Sequence, residues 1–477
     1  MSILDTLPVD VLYVVAGLLT MDDIIRLRQV SRFFYDFTRD RVIWSKLYRN
    51  VKLPRVPGPY TRQSAESLEN ILITSAKVNR QWPPTKNPQV STHLLPVDRA
   101  DKHFSLVSGE LLMVGSPSRV RCSNLRSTKA DFAVIYEPPS GSEILFFTCV
   151  STTTTDGEPL AFAICERKEP LSEQTTVDIF KVNVHASSPV TFDHVLEIAN
   201  PSPGISAVVI GPRFLVISSS TREATNVPKH VWIMDVHNYR QYRLPFECPS
   251  SQYIVPHASS RIFISTSTHL LALHSFFSAG NGWRTLVEVF PIPAPISSFE
   301  STESPGESSI LQLTHYKLMG DMELSGPVLL EERSTECSTK TTTFTLVGLG
   351  HDSYRSPRSW LALIHLTLSD GSPETISEQR IRLSPMPLST NTLLLDAASA
   401  FDGCARGVYY HGRTHGFDGL AINLYNESNC AAIGPLNLEF DRRAYGRALV
   451  AFDGGRGRIC HVMTIGDQKF AEVVDLA

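Results

Sequence analysis

Residues 7–19 are LPVDVLYVVAGLL, and the last nine residues of this stretch carry no charge. Such a run can be an export signal, a membrane span or a helix. An export signal has positive charge ahead of its apolar segment, but Asp5 and Asp10 precede it here and the first basic residue is Arg26. A membrane-spanning helix needs about 20 apolar residues, so the run is too short to cross a bilayer. The pattern therefore favours a short helix.

The spacing of apolar side chains within the run also indicates a helix. Leu12, Val15, Ala16 and Leu19 recur at i, i+3, i+4 and i+7, which places them on one helical face. Pro8 suits the first turn of this helix because its missing N–H would have no partner there. We expect the first helix to begin at about Pro8.

Further helix signals follow within the first fifty residues. Thr20-Met-Asp-Asp23 has the form of a capping box, in which the Thr oxygen accepts a free N–H of the next turn. The apolar residues behind it restart the helical period. Ser31 can cap a third helix, and RDRVIWSKLY, residues 39–48, indicates a fourth. The sequence predicts three or four short helices over residues 1–50.

A helical unit of fifty residues buries little surface and is marginally stable alone. This one carries more large apolar side chains than so small a bundle can hide, including Leu18, Phe33, Phe34 and Trp44. Surplus apolar surface indicates a partner. The covering surface is either a second polypeptide or another domain of the same chain, and the pattern alone leaves both open.

The order of these residues resembles the F-box. Leu7-Pro8-x-Asp10-x-Leu12 is similar to the L-P-x-E-x-L opening of that motif, and LLTMDDIIRLRQVSRFFYDF followed by Trp44 matches its later elements in order and spacing. Three departures are mild: Asp10 replaces Glu, Gly17 interrupts the first helix, and Phe33-Phe34 stand where Trp is common. The resemblance covers residues 7–48.

The resemblance implies a subunit of an SCF-type cullin–RING ubiquitin ligase. Its F-box would bind the small Skp-family adaptor, which links it to the cullin scaffold. This contact is an apolar helix-in-groove interface. The residues that the resemblance assigns to the adaptor-binding face, or to its support, are Leu7, Pro8, Leu12, Leu19, Ile24, Leu27, Val30 and Trp44.

A joint and a linker helix are predicted over residues 51–95. KLPRVPGPY, residues 52–60, contains three prolines and a glycine and cannot continue a helix. After this joint, the linker helix is expected to run from a Ser64 cap to about Trp82. Its apolar stripe favours a stiff spacer, and a flexible joint is the alternative.

The period changes to two from about residue 100, and residues 96–477 are predicted to form one large antiparallel β domain. Short runs such as EILFFTCV and FLVISSS indicate strands, and six Asp-Gly or Asn-Gly pairs, among them Asp418-Gly419 and Asp453-Gly454, indicate hairpin turns. A β-propeller removes exposed sheet edges by repeating four-stranded blades around an axis. We predict a WD-like propeller of six to eight blades, with a pair of β-sandwiches as the alternative.

Composition argues against several functional classes. The net charge is −4 and gives no support for binding nucleic acid or a membrane. The eight cysteines are scattered without zinc-ligand spacing, which suits a reducing, intracellular location in the cytoplasm or nucleus. His411-Gly-Arg-Thr-His415 and the Gly-rich FDGGRGRI, residues 452–459, fit turns. No cofactor or metal site, and no catalytic constellation of a hydrolase, is recognisable.

We therefore expect a non-catalytic substrate receptor. Its F-box would bind the adaptor, and its β domain would bind a protein target that is not identifiable from the sequence. Holding the target near the ubiquitin conjugate raises the effective concentration of its lysines. Two alternatives stay open: an F-box protein that sequesters its partner outside any ligase, and a propeller hydrolase.

Overall fold

A computed structural model of the chain shows a helical unit followed by a ring of β-sheets. It describes residues 7–56, 58–82, 91–126, 131–153, 159–170, 175–183, 190–200, 204–220, 228–244, 259–278, 282–293, 309–311, 313, 315–319, 323–336, 340–351, 359–369, 372–382, 392–396, 404–411, 416–424, 431–436 and 444–476.

The described residues contain five helices, all before residue 82. They are α1 (Val9–Ala16), α2 (Met21–Leu27), α3 (Arg32–Phe37), α4 (Arg41–Asn50) and α5 (Ala65–Gln81). Side-chain caps start four of them: Thr20, Ser31, Asp40 and Ser64 each accept a backbone N–H of the following turn. The predicted starts of the second, third and linker helices are confirmed. Gly17 ends α1 as its C-cap, which explains the departure noted in the motif.

The strands form seven sheets within the described residues, here called blades 1 to 7. Strand β1 (Ser91–Val97) belongs to blade 7. Blade 1 contains β2 (His103–Val107), β3 (Leu111–Ser116), β4 (Arg119–Asn124) and β5 (Ala133–Tyr136). Blade 2 contains β6 (Glu143–Thr153), β7 (Pro159–Lys168), β8 (Thr175–Asn183) and β9 (Thr191–Asn200).

Blades 3 and 4 are joined by a short crossing strand. Blade 3 contains β10 (Ile205–Ile210), β11 (Phe214–Ser220), β12 (Pro228–Asp235) and β13 (Gln241–Arg243). Blade 4 contains β14 (Ser259–Ser265), β15 (His269–Ser278), β16 (Gly282–Pro291) and β18 (His315–Met319). Between β16 and β18, the strand β17 (Ser309–Ile310) pairs in parallel with β13, at the outer edge of blade 3.

Three blades complete the set. Blade 5 contains β19 (Glu323–Glu336), β20 (Lys340–His351), β21 (Ser359–Ser369) and β22 (Ser372–Arg382). Blade 6 contains β23 (Thr392–Asp396), β24 (Cys404–His411), β25 (Gly416–Asn423) and β26 (Ala431–Leu436). Blade 7 contains β27 (Ala444–Asp453), β28 (Arg458–Ile465), β29 (Gln468–Asp475) and β1.

These sheets form a closed ring. The first strand of each blade contacts the first strand of the next, in the order β2, β6, β10, β14, β19, β23 and β27, and β27 contacts β2 again. Strand β1 pairs antiparallel with β29, with Ser91 opposite Asp475, so an early strand completes the last blade. The domain is thus a seven-bladed β-propeller, within the predicted range of six to eight. A pair of sandwiches would not close on itself, so that alternative is wrong.

The inner strand of blade 1 packs on both faces because it lies between two blades. In β2, Phe104 and Leu106 pack with the apolar cluster of blades 7 and 1, whereas Val107 packs with that of blades 1 and 2. Ser105 accepts the backbone N–H of Cys149 on β6 at 3.0 Å. The next strand, β3, is buried along its whole length, which explains why the run ELLMVG shows little polar alternation.

One predicted turn is confirmed and one is wrong. Asp453-Gly454 begins the turn between β27 and β28. Asp418-Gly419 instead lies inside β25, where Asp418 is opposite Tyr409 and Gly419 is opposite Val408. Pairing with β24 and β26 on both sides outweighs the local turn preference of this pair. The other Asp-Gly pairs, at 156–157, 370–371 and 402–403, lie outside the described residues, as does Asn281 of the Asn-Gly pair.

Candidate functional site: the apolar face of the helical unit

Helix α1 is apolar on two sides, and the molecule covers one of them. Leu12 and Ala16 are buried against the other helices. The adjacent side is exposed to solvent, with Leu18 83% exposed at the end of the row. We call this row the α1 outer face; its residues are Val11, Val14, Val15 and Leu18. Their spacing of i, i+3, i+4 and i+7 makes it a continuous apolar stripe.

Two further exposed apolar side chains lie just before and at the start of α3. Val30 and Phe33, at the start of α3, are exposed. The ring of Phe33 stacks on Phe37 with centroids 6.2 Å apart, and Phe37 lies 5.3 Å from Tyr13 of α1. This row of rings links α3 to α1. The exposed surface therefore belongs to a packed unit and not to an isolated helix.

The turns of this unit are fixed by polar contacts. Thr20 and Asp23 form the predicted capping box, and the hydrogen bonds from Thr20 lower the pKa of the Asp23 carboxyl. Asp40 caps α4 and also accepts the Tyr13 hydroxyl at 2.5 Å. That hydrogen bond to the carboxylate raises the pKa of Tyr13.

Arg28 connects four of the five helices. Its guanidinium forms a bidentate ion pair with the carboxylate of Glu69 in α5, with N–O distances of 2.5 and 2.8 Å. It also donates to Thr38 after α3 and lies over the ring of Trp44 in α4. The Trp44 indole N–H in turn donates to the Thr38 carbonyl at 2.8 Å. These contacts join the linker helix to the smaller helices.

The proline-rich joint is held by side chains. Arg55 is buried, lies over the ring of Tyr48, and donates to the carbonyls of Tyr48, Val51 and Leu53. Arg41 donates to two carbonyls of residues 60–63 at 2.7 and 2.8 Å. These hydrogen bonds favour the stiff spacer over the flexible joint.

Helix α5 is also fixed to the propeller. The Trp82 indole N–H donates to the Leu420 carbonyl in blade 6 at 2.9 Å, and its ring stacks on Phe452 in blade 7. The buried Arg406 of blade 6 donates to the carbonyls of Ser75 and Gly454 at 3.2 and 2.6 Å. The helical unit thus packs on the propeller through α5 and Trp82, at the end of the ring that contains the β27–β28 turn.

The eight residues assigned to the adaptor face differ in exposure. Pro8 and Val30 are exposed, and Leu7, Leu19 and Leu27 are half-buried. Leu12, Ile24 and Trp44 are buried in the helical core. The exposed members can touch a partner directly, whereas the buried ones can only support the face from within.

The apolar periodicity of the sequence does not single out the α1 outer face as a separate surface. It indicates the row of Leu12, Val15, Ala16 and Leu19, although a second row of large apolar residues is offset by one position. Because a helix that is apolar all round gives no preferred side, its periodicity cannot tell which row the chain itself covers.

One further cluster of ionisable side chains lies on blade 2. Ligand atoms of Asp178, His194 and Glu197 lie within 4.8 Å of one another. The Arg167 guanidinium already contacts two of these groups, at 2.7 Å from Asp178 and 3.4 Å from Glu197. Its positive charge occupies the position that a cation would take, so this cluster is an ion-pair network.

Comparison with known proteins agrees with the helical geometry. Residues 4–50 match the family model described as F-box-like. The chain carries an F-box-like domain. In this chain the domain precedes a β-propeller. None of the helices that the structure describes is long and apolar enough to span a membrane. No curated protein matches the chain.

Solved propellers resemble the β domain only distantly. The WD40 domain of SCAP from fission yeast has 10% identity and a TM-score of 0.42, with 80% of this chain and 85% of that chain covered. The β-propeller domain of Vanderwaltozyma polyspora Nup133 has 10% identity and a TM-score of 0.37, with 80% and 99% covered. A Penicillium chrysogenum α-L-arabinanase has 10% identity and a TM-score of 0.34, with 82% and 99% covered. Scores this low carry no functional argument.

Proposed function

We propose that this chain is the substrate-recognition subunit of an SCF-type ubiquitin ligase. Its F-box-like domain binds a Skp-family adaptor, and its propeller binds a protein target. The observation that carries the proposal is the α1 outer face, a continuous row of exposed apolar side chains on a domain of the F-box-like family. Soluble proteins seldom leave such a surface without a partner.

The α1 outer face can supply part of such an interface. Burying a Val or Leu side chain contributes about 1.5–3 kcal/mol, so a few residues of the face can anchor a complex. A stable interface needs about 800 Å² from each partner, more than one eight-residue helix offers. We therefore include the exposed Val30 and Phe33 in the proposed adaptor-binding face.

The attachment of α5 supports a positional role for the chain. Because Trp82 and Arg406 hold α5 on blades 6 and 7, the distance between the adaptor and the propeller would be fixed. The helices contact the propeller end that carries the β27–β28 turn, and we propose that the target binds the opposite end. The chain would supply no nucleophile and would act by raising the local concentration of target lysines.

Co-purification of the full chain with a Skp-family adaptor and a cullin tests the proposal. The wild-type chain should recover both, and the double variant Val14→Asp, Leu18→Asp should recover neither. Val134→Asp is the control, because Val134 is also an exposed apolar residue but lies on blade 1. Failure of the wild-type chain to bind the adaptor would refute the proposal. Recovery of the adaptor without the cullin would instead favour the sequestering function.

A further inference from the structure

The F-box-like domain carries basic side chains besides its exposed apolar ones. Five of them are exposed: Arg26, Arg32, Arg39, Lys46 and Arg49. We call them the basic rim. Among the described residues, only Arg26 has a carboxylate within 4.0 Å, that of Asp23 at 3.9 Å. The other four cations of the basic rim therefore have no ion-pair partner among the described residues.

Acidic residues of the same domain are used in contacts within the chain. Asp22 pairs with Arg80 of α5 at 2.9 Å, Asp23 caps α2, and Asp40 caps α4 while accepting the Tyr13 hydroxyl. Asp10 and Asp36 stay exposed. Five exposed cations therefore stand against three exposed carboxylates, one of which, Asp22, is paired with Arg80, and this domain is positive although the whole chain has a net charge of −4.

The cations lie beside the apolar residues. A Cβ added to Gly17 would collide with the Lys46 ammonium, so that this group rests against the end of α1, next to Leu18. Arg39 lies over the ring of Tyr35, 4.3 Å from its centroid. Arg32 directly precedes the exposed Phe33. Lys46 and Arg32 therefore place positive charge next to Leu18 and Phe33, two of the exposed apolar side chains.

We propose that the partner of this surface presents an apolar groove with an acidic border. The inference rests on the proposed function and adds a charge requirement to the Skp-family adaptor. Complementary charge around an apolar centre mainly accelerates association, and its effect falls as salt increases. Apolar contacts would then hold the complex once it has formed.

The composition of the surface favours an acidic protein over other polyanions. Nucleic-acid surfaces rely on phosphate contacts and on aromatic rings that stack with bases, but the centre here is the aliphatic α1 outer face. A helix that lies in a membrane surface is typically much longer than the eight residues of α1.

Association kinetics of the full chain with a recombinant Skp-family adaptor test the inference. For the wild-type chain we expect the association rate constant to fall about tenfold between 50 and 500 mM NaCl. The variant Arg32→Glu, Lys46→Glu should associate about tenfold more slowly at 50 mM NaCl, with little change in dissociation rate. Lys77→Glu with Lys168→Glu is the control, because these exposed lysines change the net charge equally but lie on α5 and blade 2.

Each result has a distinct meaning. An adaptor that binds with a salt-independent rate, or equal slowing in the control variant, overturns the acidic border and leaves the proposed function intact. Complete absence of adaptor binding at 50 mM NaCl overturns both. Comparable binding of a 20-base-pair DNA duplex, or of phosphatidylserine vesicles, also overturns the inference, because the rim would then recognise polyanions in general.

Discussion

Val78 of α5 lies directly over the backbone of Gly457 in the β27–β28 turn. A Cβ added at Gly457 would lie 2.6 Å from Cγ1 of Val78, which is buried. The turn thus approaches the linker helix closely because it lacks a side chain at this position. The Gly-rich sequence of the turn therefore has a packing role besides its hairpin geometry.

Gly457→Ala should loosen the attachment of α5 to the propeller. The added methyl group meets Val78, and the φ of +67° adds about 1–2 kcal/mol of strain for an L-residue. Hydrogen–deuterium exchange should therefore increase in the second half of α5. Gly466→Ala is the control, since Gly466 has a φ of +60° but no atom within 4 Å of the added Cβ. Equal exchange in the two variants would contradict a role for the Val78 contact.

Truncating the α1 outer face should weaken adaptor binding without affecting stability. Leu18→Ala removes an exposed anchor and should raise the Kd about tenfold or more, measured by calorimetry. Leu12→Ala should behave differently, because this buried side chain supports the core and its loss costs about 2–5 kcal/mol of stability. If Leu18→Ala bound the adaptor with wild-type affinity, the α1 outer face would not be part of the interface.

Glu69→Gln should separate the linker helix from the smaller helices. It keeps the shape of the side chain but leaves the partly buried Arg28 guanidinium without its carboxylate. Loss of such a pair costs about 3 kcal/mol, which should appear as a lower melting temperature of the helical signal at 222 nm. Asp22→Asn, which breaks the exposed pair with Arg80, should cost under about 1 kcal/mol. A larger loss of stability in Asp22→Asn than in Glu69→Gln would contradict the central role of Arg28.

Thr20→Ala should destabilise α2 by about 1 kcal/mol at neutral pH. The capping box lowers the pKa of Asp23 in the folded chain, so its contribution is present above the unfolded pKa and is lost as the pH falls through the folded value. The difference in melting temperature between variant and wild type should therefore narrow below about pH 4. Ser64→Ala removes a cap without a carboxylate, and its effect should not change with pH.

The described cysteines should resist alkylation while the chain is folded. Cys122, Cys149, Cys165, Cys404 and Cys460 are all buried. Burial raises the pKa of Cys122 and Cys460 to about 12, so almost no thiolate forms at pH 8. Iodoacetamide at pH 8 should label these two residues only after denaturation, as peptide mass spectrometry can determine. Rapid labelling of the native chain would contradict their burial.

Local signals in the sequence were sufficient for the helices and for the class of the β domain. Caps such as Ser31 and Ser64 act within one turn, so their positions could be predicted from neighbouring residues. The ring is closed by the pairing of β1 with β29, which joins opposite ends of the domain sequence. The sequence therefore predicted a propeller but not this pairing or the number of blades. For the same reason Asp418-Gly419, a favoured turn pair, was placed wrongly.

The candidate surface was less predictable than the fold. The row containing Leu12 and the row containing Leu18 are equally apolar, and only the packing of α1 on its neighbours determines which row stays exposed. The contact of Trp82 with Leu420 joins residues that are distant in sequence, so no local pattern indicates it. The basic rim depends on which carboxylates are used as caps, which also requires the folded structure.

The pairing of β1 with β29 has a consequence for biosynthesis. β1 leaves the ribosome soon after the helices, but Ser91 pairs with Asp475, so its partner emerges only after nearly all other strands have been translated. Throughout that time β1 presents unpaired backbone and the end blades of the unfinished ring present apolar side chains, a state prone to aggregation. Chaperone demand in the cell should therefore be greatest for nascent chains that are stalled before residue 468, and a premature stop codon there should yield insoluble protein.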